Sequence, residues 1–150
     1  MSSNDLLWMQ RAISLAQEAE ARDEVPVGAV IVCDDKLIGE GFNAPILSND
    51  ATGHAEIRAI RAACEKLENY RLPDSTMYIT LEPCSMCAGA IIHARINRVV
   101  IAAKEPRAGA AGSALNVLQN DKLNHRCELE FGLCAEESAS LLRGFFKRRR

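Results

Sequence analysis

Apolar residues recur at Leu6, Met9, Ile13 and Ala16, with Ala12, Leu15 and Ala19 widening the stripe. That spacing predicts an amphipathic helix from about Asp5 to Arg22, its apolar face turned toward a sheet. From Val27 to Cys33 the chain is β-branched and apolar, and Lys36 to Phe42 is a second extended run. Asp34-Asp35 between them is turn chemistry, so the pair reads as a hairpin. Asn43-Ala44-Pro45 ends the second strand, and a polar loop over 48–53 leads to His54. From His54 to about Glu68 the positions Ile57, Ile60, Cys64 and Leu67 return to helical spacing, closed by Asn69. Thr76 to Thr80 is a short strand, Pro83 suits the first turn of the next helix, and Arg98 to Ala103 is another strand. Beyond it the chain reads by default as a loop, Lys104 to Gly112 holding a proline and two glycines, with a short helix over Leu115 to Leu118 as the alternative. His125 to Phe131 reads as a last strand, and Ala135, Ala139, Leu142 and Phe146 as a closing helix.

Strand, helix, strand implies a right-handed parallel crossover, and a hairpin followed by such units gives a mixed sheet covered on both faces. The expected class is α/β, a three-layer α/β/α sandwich with a mixed central sheet of about five strands, in a single domain over 1–150. At 150 residues the chain can bury a core without metal or disulfide, which leaves any metal free for chemistry. No run approaches the ~20 apolar residues of a membrane span. Met1-Ser-Ser-Asn-Asp lacks the basic and apolar regions of a secretory signal, so a cytoplasmic protein is expected, with its six cysteines as thiols. The net charge of −2 gives no global nucleic-acid signal, yet the chain ends Phe145-Phe146-Lys147-Arg148-Arg149-Arg150. Taken alone, that run is equally a solvated terminus.

The chemistry is concentrated in Leu81-Glu82-Pro83-Cys84-Ser85-Met86-Cys87 and His54-Ala55-Glu56. Cys84 and Cys87 share one side of a first helical turn, where unpaired N–H groups and the helix dipole favour thiolates. A lone C-x-x-C also occurs in redox proteins and structural zinc sites, but a redox role leaves His54 and Glu56 unused. His54 stands at a second predicted helix start, so two helix N-termini would meet at one end of the sheet. Residues two apart on a helix diverge, so His54 and Glu56 share a pocket only beyond the helix tip. Cys33, Cys64, Cys127, Cys134, His93 and His125 are scattered and read as packing or surface, leaving a fourth position for water. Three protein ligands and an open position mark catalytic rather than structural zinc. A water whose pKa falls from ~15.7 to ~7 on zinc, with Glu56 shuttling protons, suits hydrolytic removal of an amine.

With these residues in view, the sequence resembles the zinc-dependent nucleobase deaminases, whose signature pairs H-x-E with P-C-x-x-C. Within them it is similar along its length to the bacterial tRNA-specific adenosine deaminases, through Glu24 to Val30, His54 to Ile57, Leu81 to Ala90 and Gly109 to Ser113. Asn124-His125-Arg126 and the Phe-Phe-basic end add to the likeness. The resemblance implies a cytidine deaminase-like fold, one Zn2+ per subunit on His54, Cys84 and Cys87, and a homodimer. It implies hydroxide on zinc attacking purine C6 of the wobble adenosine of a tRNA anticodon, giving inosine, with Glu56 as proton shuttle. It further implies that Asn43 contacts the purine, that the Ala55 backbone helps hold the base, and that Phe145, Phe146, Arg148 and Arg149 touch the anticodon stem-loop; read from the residues alone, Asn43 equally ends a strand, and at least one of Phe145 and Phe146 is core of the last helix. Val27, Phe42, Lys104 and Arg107 are candidate walls or rim of a base pocket. Arg95 and Arg98 read equally as surface charge or RNA contacts. Glu105-Pro106 departs from the family, which commonly has an aspartate there with no proline after it. Two rivals share the motif: a deaminase of free bases or nucleosides, and a noncatalytic zinc-stabilised RNA-binding module.

Overall fold

A computed structural model of the chain describes residues 3–149. Its elements are α1 (Ser3–Ala21), β1 (Gly28–Cys33), β2 (Lys36–Phe42), α2 (Ala55–Leu67), β3 (Ser75–Leu81), α3 (Ser85–Ala94), β4 (Arg98–Ala103), β5 (Glu128–Phe131) and α4 (Ala135–Arg148). They form one five-stranded sheet in the order β2-β1-β3-β4-β5. β1 is antiparallel to both β2 and β3, while β3, β4 and β5 run parallel. The mixed α/β/α sandwich expected from the sequence is therefore present, with α2 and α3 on one face and α1 and α4 on the other.

Period-two alternation divides the core. Ala29, Ile31, Met77, Ile79, Val99 and Ile101 pack under α2 and α3. Val30, Val32, Tyr78, Val100 and Ala102 face α1, where Met9, Ala12 and Leu15 meet them. On β2, Gly39 and Gly41 leave room for α2 to lie against the strand backbone; a Cβ at Gly39 would strike the Ala59 carbonyl. That close seating fixes the height of the α2 N-terminus over the sheet end.

Two expectations change, and one alternative falls away. Leu115 to Leu118 is not helical: Ala111 bridges to Asn116, and Val117 N–H bonds the Ala110 carbonyl at 2.8 Å, so the backbone groups are satisfied across the loop instead of along a helix. Leu118 is buried while Leu115 is exposed. The last strand starts at Glu128; before it, His125 Nε2–H donates to the Ile96 carbonyl at 2.7 Å. Pro83 precedes the N-cap Cys84 rather than lying in the first turn, and its carbonyl accepts the Ala110 N–H at 2.8 Å.

Two buried carboxylates tie distant segments together. Asp5 accepts the Tyr78 hydroxyl at 2.6 Å and two Arg98 nitrogens at 2.9 and 2.7 Å, and Arg98 also reaches Glu130 at 2.6 Å. Arg98 is thus a bridge between α1, β4 and β5 at the start of β4, neither free surface charge nor a contact at the C-terminal strand ends. Glu82 accepts the N–H groups of Glu105 (3.1 Å), Ala111 (2.9 Å) and Ser113 (3.2 Å) together with the Ser113 hydroxyl. Burial pushes the Glu82 carboxyl up, but these donors outweigh it and hold the group below its ordinary value.

Arg98→Met should strip buried Asp5 of two charged donors and lower the unfolding free energy by about 3 kcal/mol. An unchanged urea midpoint would contradict the bridge. Glu82→Gln must aim an amide NH2 at a backbone N–H whichever way it turns, and should cost ~2 kcal/mol. Because the folded Glu82 pKa is depressed, its carboxylate stabilises above the unfolded value near ~4.3 and that gain fades as pH falls through the folded one. Wild type and Glu82→Gln should therefore converge in stability on acidification, as urea titrations over acidic pH would show.

Candidate metal and nucleobase site

Since β1 runs against both neighbours, β2, β3 and β4 end at the same edge of the sheet. The loop after β2 leads to α2 and the turn after β3 leads to α3, so both helix N-termini arrive there. His54 is the N-cap of α2 and Cys84 the N-cap of α3, both with extended backbone, and neither side chain caps its own helix. Cap positions usually carry Ser, Thr, Asp or Asn to satisfy helix N–H groups. Here the two side chains turn to each other instead.

His54 Nδ1 lies 3.7 Å from Cys84 Sγ and 3.4 Å from Cys87 Sγ. The three donor atoms fall within 4.8 Å of one another, the only such group of three potential metal ligands among the described residues. Tetrahedral zinc with ordinary Zn–N and Zn–S bonds separates a nitrogen from a sulfur by about 3.6 Å. The donor set and its spacing therefore fit a zinc ion. The Cys87 thiol, with the N–H groups of Cys87 and Met86, pulls the Cys84 thiol down to about 5, against the effect of burial, while Cys87 is raised by the same partnership. A thiolate ready for metal is thus built into the helix tip.

Glu56, the second residue of α2, is buried beside these ligands. Its carboxylate turns back to its own N–H, which brings it round to the helix tip and resolves the divergence expected of residues two apart. Burial pushes the carboxyl up to about 7; the backbone bond opposes this and Cys84 adds to it. A carboxyl poised there exchanges protons readily near neutral pH.

His54, Glu56 and Cys84 line a cavity of about 260 Å³ whose other walls include Val25, Val27, Asn43, Leu81 and Glu105. Small-ligand pockets begin near ~300 Å³, so the space suits one base better than a whole nucleotide. Asn43 is buried, lines the cavity and donates its Nδ2–H to the Val25 carbonyl at 3.3 Å. Ala55 is buried and opens α2, where the first backbone N–H groups have no intrahelical acceptor.

Other candidates lie apart. Phe42 is not a wall: it packs toward α1 and carries Arg22 and Arg58 over its ring. Lys104 sits over Phe131, and Arg107 is exposed. Phe145 is buried, edge-on to the exposed Phe146 and covered by the Arg149 guanidinium 4.7 Å from its ring centre, so it supports that arginine. Arg148 and Arg149 fold back on the end of α1, Arg148 to Glu20 at 2.8 Å and Arg149 to the Asp23 carbonyl at 2.7 Å. Glu105 turns its carboxylate to the Arg107 N–H at 2.9 Å, and this local turn is what Glu105-Pro106 builds.

Sequence reasoning missed Glu82, Glu24 and Val25. Glu24 is buried and accepts the N–H groups of Ile46 and Leu47 at 3.4 and 2.7 Å, anchoring the loop that carries Asn43 toward His54. A carboxylate flanked by valine or proline on a loop was the available signal, but its acceptors' partners lie 22 to 31 residues away and have no sequence period.

Known proteins share this layout. The MafB19-like deaminase family matches residues 3–150. A tRNA-specific adenosine deaminase of Haemophilus influenzae is 48% identical over 99% of this chain and 87% of its own length. One from Bacillus subtilis is 39% identical over 97% of this chain and 90% of its own. A structure from work on A-to-I editing by tRNA deaminases at the wobble position superposes with a TM-score of 0.88 at 43% identity, covering 91% of this chain and 99% of that one. A guanine deaminase from Bacillus subtilis aligns with a TM-score of 0.64 at 46% identity, covering 69% of this chain and 66% of that one. On near-full-length likeness of this order, the chain belongs to the tRNA-specific adenosine deaminase family.

Proposed function

We propose that the protein hydrolyses the wobble adenosine of a tRNA anticodon to inosine. The observation that carries this reading is a base-sized cavity in which buried Glu56 adjoins the convergent His54, Cys84 and Cys87. Water adds at purine C6, the bond from C6 to the exocyclic nitrogen breaks, and the products are inosine and ammonia. Glu56 takes a proton from the attacking water, delivers it to N1 of the ring, and moves a second to the departing nitrogen. Asn43 and the N–H end of α2 at Ala55 orient the purine. Burial of Glu56 keeps bulk water from short-circuiting the transfer. When held by His54 Nδ1, Cys84 and Cys87, one zinc ion per subunit would supply Lewis acidity that makes water a nucleophile near pH ~7.

Arg148, Arg149 and Phe146 lie on the surface at the α1 end and would meet the anticodon stem. Phe145 contributes by supporting Arg149 from beneath. A homodimer and a cytoplasmic location complete the reading. No helix among the described residues is long and apolar enough to cross a membrane.

Deamination of free guanine or cytosine is the second reading, favoured by the guanine deaminase likeness. Incubating zinc-loaded protein with total tRNA and with free bases separates the two: inosine at the wobble position supports the first, while xanthine or uracil with unmodified tRNA sinks it. Glu56→Gln should keep its zinc by metal analysis and lose at least ~100-fold in deamination rate on an anticodon stem-loop. Wild-type turnover by that variant would remove Glu56 from the mechanism. Cys87→Ala should bind zinc far more weakly in a chelator competition and lose activity with it; retained affinity would exclude Cys87 as a ligand.

A further inference from the structure

We propose that Arg22 and Arg58, gathered over the Phe42 ring beside the cavity, grip the RNA phosphate adjoining the nucleotide whose base enters it. The proposal rests on the RNA-deaminating reading above and names the surface that would hold the strand.

Phe42 is the last residue of β2, next to the cavity-lining Asn43; Arg58 lies two residues beyond Glu56, and Arg22 three before Val25. The guanidinium carbons stand 5.0 Å (Arg22) and 4.8 Å (Arg58) from the ring centre. One N–H of Arg58 goes to the Phe42 carbonyl and one of Arg22 to the Glu18 carbonyl, each at 3.2 Å. A guanidinium has five N–H donors, so most remain for a ligand.

Most arginines near this end are already neutralised. Arg11 pairs with Glu40, Arg61 with Asp50, Arg148 with Glu20 and Arg149 with Asp23, whereas neither Arg22 nor Arg58 has an ion-pair partner among the described residues. Two uncompensated charges held against one aromatic ring repel each other, a cost that a bound anion relieves. Contact with the ring restrains each guanidinium, and the N–H groups not used in those two bonds suffice for a bidentate phosphate contact. A base drawn into a pocket leaves its sugar and phosphates at the mouth, and Phe42 with its two arginines adjoins Asn43, a residue of the cavity lining.

The test measures binding of an anticodon stem-loop RNA with adenosine at the wobble position to zinc-loaded Glu56→Gln protein by fluorescence anisotropy across a salt series. Arg22→Gln and Arg58→Gln, each added to that background, should weaken binding several-fold at low salt and reduce the slope of log affinity against log salt by about 1 apiece. Arg11→Gln, which removes an already paired charge, should leave the slope alone. Phe42→Leu keeps both charges, so it should weaken binding with the slope retained. Slopes equal to the parent in both arginine variants overturn the grip. So does a loss of affinity that merely tracks a lower thermal midpoint. Failure of the wild-type enzyme to release inosine from the same RNA defeats the deamination reading while the slopes still judge the grip, and no binding by the parent defeats both.

Discussion

Two helix N-termini can share one end of a sheet only if the strands feeding them run in the same direction. In this chain β2 and β3 do so because β1, between them, runs against both. The hairpin at the start of the sheet is therefore what lets the His54 and Cys84 ends of α2 and α3 face one point. Everything chemical follows from that meeting. The N–H groups at the tips favour anionic sulfur. The cap positions leave imidazole and thiol turned outward together, and the second residue of α2 is close enough to bring a carboxyl into the same cavity. The close seating of α2 on Gly39 and Gly41 keeps the imidazole at the right height.

The sequence disclosed the elements whose side chains obey a period. The stripe of Met9, Ala12 and Leu15 was readable because α1 buries one face, and the apolar run through Val30 and Ile31 because β1 is buried on both. The convergence of His54, Cys84 and Cys87 beside Glu56 was readable because a metal-site pattern restricts residue type and local spacing together. What escaped lies in long loops. Leu115 and Leu118 sit at helical spacing, yet the backbone there finds partners across the loop, and no pattern of side chains announces that. Arg98 showed only its charge; its value comes from Asp5, 93 residues earlier. The helical stripe placed Phe146 on the apolar face of α4, but the structure, one step around the helix, buries Phe145 and exposes Phe146.

Charge at the cavity end divides into two kinds. The terminal arginines come with internal carboxylates, so any anionic ligand would have to compete with Glu20 and Asp23 for them. The guanidiniums over Phe42 have no such competitor among the described residues. Contacts of the first kind favour strands that offer several phosphates at once, since each exchange returns little by itself.

The manner in which Glu82 holds its loop separates the frame of the cavity from its lining. Three of its four bonds go to main-chain N–H groups, which every residue but proline possesses. Side chains along the loop can therefore be exchanged without loosening it, provided the hinge at Gly109, where a Cβ would strike the Glu82 carboxyl, is kept. Such a wall can drift in sequence and alter the shape of the cavity mouth, while His54, Glu56, Cys84 and Cys87 stay untouched. Substrate range and chemistry are thereby free to evolve on separate clocks.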